Sequence, residues 1–71
     1  MDKKILGKNL RNIREAAKLT RIGASRASNI PCSTINNIEM GQMNTSFRTV
    51  FILLKTYEYN KPIGNLYDEG G

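Results

Sequence analysis

Apolar residues in this chain recur every three or four positions, and no stretch alternates apolar with polar residues as a half-buried strand does. The first apolar stripe predicts a helix over about residues 3–18, and its members are Leu6, Leu10, Ile13 and Ala17. A second stripe predicts a helix over about residues 47–57, capped by Ser46, and its members are Phe47, Val50, Phe51, Leu54 and Tyr57. The chain is therefore predicted to be all-α.

Residues that start and stop helices divide the segment between these two stripes. Thr20 is a suitable N-cap for a second helix of roughly eight residues, and Asn29 tolerates the left-handed backbone that a tight turn requires. Pro31 suits the first turn of a third helix, and Gly41 closes that helix at its C-terminal end. Two short helices joined by a tight turn are thus predicted in the middle of the chain.

A length of 71 residues allows one small domain. A chain this short buries only about 60% of the surface that its unfolded form exposes, so its stability margin is thin. We expect a compact four- to five-helix domain over residues 1–67, in which Pro62 opens a short final turn, and a disordered tail over residues 68–71.

Counting reactive residues excludes several classes of function. The chain has no His and one Cys, Cys32, which excludes an imidazole base, an intrachain disulfide and a cluster of Cys or His metal ligands. It also lacks a nucleophile–base pair and a phosphate-cradling glycine loop. We therefore expect no enzyme activity, no cofactor, no metal and no small-molecule substrate. The longest apolar run is far shorter than the ~20 residues that cross a bilayer, so no membrane role is expected and the protein is predicted to be cytoplasmic.

Charge is distributed unevenly along the chain. The formal net charge is +5, from 11 Lys and Arg against 6 Asp and Glu, and most of the cations lie in residues 1–26. Residues 27–47 carry a single charged side chain, Glu39, among many amides and hydroxyls. Cations hold phosphates, while neutral polar groups read base edges without the desolvation cost of a charge. This arrangement favours a duplex nucleic acid as the partner.

The residues of the two central helices resemble the phage Cro/repressor (XRE-like) helix-turn-helix family. The sharpest string is T-I-x-x-I-E-x-G from Thr34 to Gly41, followed by N-x-S from Asn44 to Ser46, and residues 6–14 match the family's first helix. The resemblance implies a lambda repressor-like fold and a sequence-specific transcriptional regulator of phage or mobile-element type. It further implies binding of a double-stranded DNA operator, at the nucleoid, by a symmetric homodimer that spans two half-sites.

The family's roles, transferred by position, assign a recognition helix to about residues 32–40, lying in the major groove. The residues that would face base edges are Cys32, Ser33, Asn36 and Asn37. The residues that would bind phosphates are Arg21, Gln42, Asn44 and Thr45, joined by Lys8 and Arg11, for which a solvated helix face is an equal alternative. Asn37 can offer adenine a donor and an acceptor together, which is worth roughly 1–3 kcal/mol of discrimination.

Two further contacts follow from the resemblance. Arg14 and Glu39 match positions that pair in the family, so a structural salt bridge between the first and third helices is expected, and reversal of both charges should partly restore what either single change loses. The C-terminal segment is expected to form the dimer interface, with capping of the fourth helix within the chain as the alternative. The interface residues would be Tyr59, Ile63, Leu66 and Tyr67.

The chain departs from the family pattern in its second helix and in its reading residues. Family positions that hold glutamine and leucine are Arg21 and Ala24 here, and the reading residues include the short side chains of Cys32 and Ser33. This leaves open a second function, that of a small antirepressor that binds a partner repressor through its helix-turn-helix surface. The apolar contact surface would then be formed by Met40, Met43, Phe47 and Ile52, with core or loop filling as the alternative for the methionines.

Overall fold

The structure is a computed structural model that describes residues 2–60 of the chain. Its helices in chain order are α1 (Lys3–Ala16), α2 (Arg21–Ser28), α3 (Cys32–Glu39) and α4 (Phe47–Thr56). Every regular element among these residues is a helix, which confirms the all-α class. The predicted turn at Pro62 and the predicted tail over residues 68–71 lie outside the described residues.

Side-chain caps begin three of the four helices. The hydroxyl of Thr20 accepts a 3.0 Å hydrogen bond from the amide of Gly23, and that of Ser46 accepts one of 3.2 Å from Thr49. Both predicted N-caps are therefore confirmed, and Asp2 caps α1 in the same way. Pro31 occupies the cap position of α3, one residue before the predicted first turn.

Left-handed residues end the helices, and only one of these ends uses glycine. Asn29 at the end of α2 has φ 64°, as predicted, and Gly41 after α3 has φ 69°. Lys18 (φ 62°) and Glu58 (φ 56°) adopt the same conformation after α1 and α4. The turn at Lys18 explains why α1 ends at Ala16 and not near residue 18 as predicted, because a left-handed residue cannot continue the helix.

The core lies where one face of each helix meets the others. Its buried apolar members are Leu6, Leu10, Ala24, Ile35, Ile38, Val50, Leu53, Leu54 and Tyr57. The apolar stripe predicted for α4 is therefore partly wrong. Leu53 is buried in place of Phe47 and Phe51, which are 60% and 47% exposed. At the end of α1, Ala17 is also exposed, because the chain leaves the helix there.

The backbones of α1 and α3 approach each other closely. A Cβ placed on Gly7 would overlap the carbonyl oxygen of Ile38 and lie 2.9 Å from that of Glu39. One turn away, a Cβ on Gly41 would lie 2.8 Å from the Cγ atom of Lys4. The absence of a side chain at Gly7 therefore allows α1 to pack directly on the end of α3.

In contrast, α2 is attached through small and polar residues. Ala24 is its one buried residue. The hydroxyl of Ser25 donates a 2.6 Å hydrogen bond to the carbonyl of Ile30, and that of Ser28 donates one of 2.7 Å to the carbonyl of Ala24. These bonds hold the turn into α3 with little apolar burial.

Candidate nucleic-acid interface

The predicted base-reading residues lie on the surface of α3. Ile35 and Ile38 turn into the core, which leaves the opposite side of the helix accessible. Ser33 is exposed, and Cys32, Asn36 and Asn37 are half-buried. We call these four residues the reading face.

A buried ion pair fixes α3 against α1. The Nε atom of Arg14 donates to Glu39 at 2.7 Å and its Nη2 atom donates to the same carboxylate at 3.1 Å. The remaining nitrogen, Nη1, donates to the carbonyl of Leu19 at 2.6 Å. The hydrogen bonds with Glu39 raise the pKa of Arg14 although burial acts in the opposite direction. The predicted pair between Arg14 and Glu39 is thus present, and it is buried.

Arg21 joins the same carboxylate, which the sequence did not indicate. Its Nε atom donates to Oε1 of Glu39 at 3.0 Å, and its side chain remains 33% exposed. The three side chains form an arginine–glutamate cluster, with Arg14 and Glu39 inside and Arg21 at the edge. Because two cations share one anion, the cluster has an excess positive charge at its exposed side.

The exposed edge of this cluster lies in an open cleft between α1, α2 and α3. The lining residues include Arg11, Thr20, Arg21, Ile22, Cys32 and Asn36. Two candidate phosphate ligands, Arg11 and Arg21, therefore share a cleft with two members of the reading face. Arg11 also lies 3.5 Å from the carboxylate of Glu15, in an exposed pair that holds it weakly.

The remaining candidate phosphate ligands lie outside this cleft. Lys8, Gln42 and Asn44 are exposed and Thr45 is half-buried. The amide of Gln42 donates to the carbonyl of Asn37 at 2.9 Å, so the loop starts directly at the C-terminal end of α3. The loop residues therefore follow the same end of α3 that carries Glu39, the partner of Arg21.

Tyr57 is a buried polar residue that sequence reasoning treated only as apolar. It is 6% exposed, and its hydroxyl has no hydrogen-bond partner among the described residues. Burial, together with the negative charge of Glu39, raises the pKa of Tyr57 to about 12, although the positive charge of Arg14 acts in the opposite direction. The phenol is therefore within electrostatic range of the arginine–glutamate cluster.

The predicted dimer interface is described only at Tyr59, which is half-buried against the core of its own chain. This supports the alternative of capping within the chain for Tyr59, while Ile63, Leu66 and Tyr67 lie outside the described residues. The alternative contact surface is mostly accessible. Met40 and Met43 are 53% and 36% exposed, Phe47 is exposed, and Ile52 is half-buried.

A family model described as helix-turn-helix matches residues 10–62, which is about three quarters of the chain. The chain belongs to this helix-turn-helix family. The resemblance to Cro/repressor proteins is confirmed by this match, and the helix-turn-helix domain falls in a class of DNA-binding regulators. Comparison with curated proteins and with solved structures gave no significant match.

The described residues contain neither a membrane-spanning helix nor a cluster of metal ligands. None of the helices has both the length and the apolar character to span a membrane. Residues 2–60 also contain no group of three or more Cys, Asp or Glu side chains placed to hold a metal ion.

Proposed function

We propose that this helix-turn-helix domain is a sequence-specific transcriptional regulator of phage or mobile-element type, which binds operator DNA as a homodimer in the cytoplasm. The main observation in support is that the reading face of α3 is accessible, while a buried ion pair fixes α3 to α1. A helix held this way can enter the major groove without first reorganising, which lowers the ordering cost of binding.

In the proposed complex, base reading and phosphate binding are carried by different chemistry. Asn36 and Asn37 offer amide groups to base edges, and Asn37 offers adenine a donor and an acceptor together. Arg21 binds a phosphate with the guanidinium donors that Glu39 does not engage, because only its Nε atom contacts that carboxylate. Arg11, Lys8 and the loop residues Gln42, Asn44 and Thr45 supply further phosphate contacts.

A gel-shift titration tests this proposal. The probes are duplexes from the DNA that flanks the chain's own gene, together with a scrambled duplex of the same composition. We expect a sequence preference, and a log–log dependence of affinity on salt with a slope near −7 if a dimer makes about eight phosphate contacts. Equal affinity for native and scrambled duplexes, or no shift at low salt, would refute specific DNA binding.

Matched variants separate the two kinds of contact. Asn37→Ala should lower affinity for the preferred duplex by roughly 1–3 kcal/mol and leave affinity for the scrambled duplex nearly unchanged. Arg21→Ala should lower both affinities and reduce the salt slope by about 1. Asn12→Ala removes an exposed amide from α1 and serves as the control. A uniform loss with Asn37→Ala would reassign Asn37 to phosphate binding or folding.

The short side chains of Cys32 and Ser33 and the exposed Met40 and Met43 favour a second candidate, a small antirepressor that binds a partner repressor. The same gel shift, run with and without a candidate repressor, distinguishes the two functions. An antirepressor releases the repressor from its operator and gives no shift of its own, whereas an operator-binding regulator shifts the duplex alone.

A further inference from the structure

One side of α4 faces the core and the other side is accessible. The buried side consists of Val50, Leu53, Leu54 and Tyr57. On the accessible side, Phe47 and Phe51 are one helical turn apart and therefore neighbours on the surface. We call these two residues the aromatic face. Phe47 is 60% exposed and Phe51 is 47% exposed, although phenylalanine is among the residues most often buried in folded proteins.

Two cations border the aromatic face. Arg48 precedes Phe51 by three residues and Lys55 follows it by four, which places all three side chains on the same side of the helix. The Nζ atom of Lys55 lies 5.8 Å from the centroid of the Phe51 ring, and both cations are exposed. Aromatic rings and cationic groups are thus interleaved along the accessible side of α4.

No carboxylate neutralises these two cations within the part of the chain that the structure describes. The ion pairs among residues 2–60 lie on α1, α2 and α3, and α4 carries no acidic residue. Glu58, the nearest acidic residue to Lys55 along the chain, follows α4 and lines a separate groove with Ile13 and Tyr57. The aromatic face therefore has a positive rim that is free to meet an external anion.

We infer that the aromatic face docks an acidic amphipathic helix of another protein, whose apolar side chains contact the two rings and whose carboxylates contact Arg48 and Lys55. Charge complementarity selects this occupant, because the chain has a net charge of +5 and a like-charged occupant would be repelled from the positive rim. An amphipathic helix presents apolar residues three or four positions apart, which matches the one-turn spacing of Phe47 and Phe51. Because the reading face lies on α3, the inference does not rest on the proposed function.

The size of the aromatic face predicts a weak, transient contact. A phenylalanine side chain presents roughly 150–250 Å², so the exposed fractions of Phe47 and Phe51 supply about 200 Å². That area is about a quarter of the ~800 Å² that each partner of a standard interface buries. The charges therefore contribute a large share of the attraction, and added salt should weaken binding because both cations are exposed to solvent.

An NMR titration of the full chain tests the inference and requires no variant to fold. The probe is a synthetic peptide of about 14 residues, blocked at both ends, with leucine at every third or fourth position and glutamate between. We expect amide shifts to change at residues 47–55 and to remain constant at the reading face. Affinity should fall as NaCl rises from about 50 to about 500 mM. A peptide with glutamine in place of glutamate should bind about three- to tenfold more weakly.

Matched variants assign peptide binding to the aromatic face and its rim. Phe51→Ser should weaken binding at least about tenfold. Its control is Ile22→Ser on α2, because Ile22 is 59% exposed and its loss should leave affinity unchanged. Lys55→Gln should weaken binding by about two- to fivefold. Its control is Lys8→Gln, which removes the same charge from an exposed position on α1 and should have a smaller effect.

Several results would overturn the docking of an acidic helix. These are no shift or shifts confined to other residues, equal affinity for the glutamate and glutamine peptides, or equal losses with Lys55→Gln and Lys8→Gln. Phosphatidylglycerol vesicles that change the shifts at residues 47–55 when the peptide does not would replace the helix by an anionic membrane surface. Changed shifts there in the peptide-free double variant Asp68→Asn/Glu69→Gln would replace it by the chain's own acidic end.

The outcome for the aromatic face can be distinguished from the outcome for DNA binding. If gel shifts show no sequence preference while the peptide still binds at residues 47–55, the proposed function fails and the docking site stands. If the duplex is bound specifically and the peptide is not bound, the docking site fails and the proposed function stands.

Discussion

The contact between α1 and α3 differs from the attachment of α2, although α2 is the immediate neighbour of α3 in the chain. Between α1 and α3 there is a buried ion pair and a backbone approach that excludes even a methyl group at Gly7. α2 contributes one buried alanine and serine-to-backbone hydrogen bonds. The orientation of the reading face is therefore set by α1, with α2 as the more loosely held element.

The largest expected effect comes from Glu39, whose carboxylate contacts Arg14 of α1 and Arg21 of α2. Arg14→Ala leaves Glu39 with only the half-exposed Arg21 as partner, and we expect a loss of about 3–5 kcal/mol in the free energy of unfolding. Arg21→Ala should cost below about 1 kcal/mol, because its side chain is 33% exposed. Urea unfolding followed by circular dichroism measures both. Equal losses would mean that α2 is held as firmly as α1.

The third member of the cluster also changes the outcome of charge reversal. The pair predicted from the sequence should regain stability when Arg14 and Glu39 exchange charges. In the structure, an arginine at position 39 would lie beside Arg21 and repel it. We therefore expect the double reversal to recover less than it would for an isolated pair, and to recover more when Arg21→Ala is added.

The next largest effect tests the close approach of the α1 and α3 backbones, and it alters no charge. Gly7→Ala places a methyl group against the carbonyl oxygens of Ile38 and Glu39, so the helices must separate, at an expected cost of about 3 kcal/mol. Thermal unfolding measures this loss. Asn12→Ala, an exposed substitution on the same helix, is the control and should change stability by less than about 0.5 kcal/mol. A tolerated Gly7→Ala would show that α1 and α3 can separate freely.

The pKa of Tyr57 allows the surroundings of the arginine–glutamate cluster to be tested by pH. Its folded pKa of about 12 lies above the usual value near 10, so the neutral phenol is favoured by folding. Stability from this group is fully present below pH 10 and is lost as the pH rises towards 12, by about 2 kcal/mol. Tyr57→Phe should remove this part of the alkaline loss, while at pH 7 it leaves stability unchanged or slightly higher because the hydroxyl has no hydrogen-bond partner within residues 2–60. Parallel alkaline profiles for both proteins would contradict this assignment.

The smallest effect concerns a helix end. Lys18 holds a left-handed conformation that costs a residue with a Cβ roughly 1 kcal/mol relative to glycine. Lys18→Gly should therefore raise the free energy of unfolding by up to about 1 kcal/mol. Lys3→Gly, at the first residue of α1, should not stabilise the protein. A loss with Lys18→Gly would mean that the lysine side chain makes a stabilising contact.

Local signals in the sequence predicted where the helices lie better than they predicted the contacts between the helices. Thr20 and Ser46 marked helix starts because capping depends on neighbouring amides, and Asn29 marked a turn for a similar local reason. The end of α1 was missed because nothing about Lys18 by itself requires a left-handed residue. Which apolar side of α4 is buried depends on the elements beside it, so the exposure of Phe47 and Phe51 could not be read from their spacing.

In the candidate site, too, one contact could be predicted from the sequence and another could not. The pairing of Arg14 with Glu39 could be predicted because it follows from the family resemblance. The approach of Arg21 to Glu39 depends on the angle at which α2 crosses α3, which no local pattern in the sequence specifies. A glycine within an otherwise helical stripe was the one available signal for the role of Gly7.

The direct packing of α1 on α3 has a consequence for the proposed complex with DNA. Because α1 packs backbone against backbone on the end of α3, we expect the proposed reading helix to resist tilting on its own to follow the local shape of the groove. The duplex must then supply the adjustment, and its deformability contributes to selectivity. Operators with a flexible pyrimidine–purine step between the half-sites should therefore be preferred over stiff A-tracts, even where no side chain touches those bases.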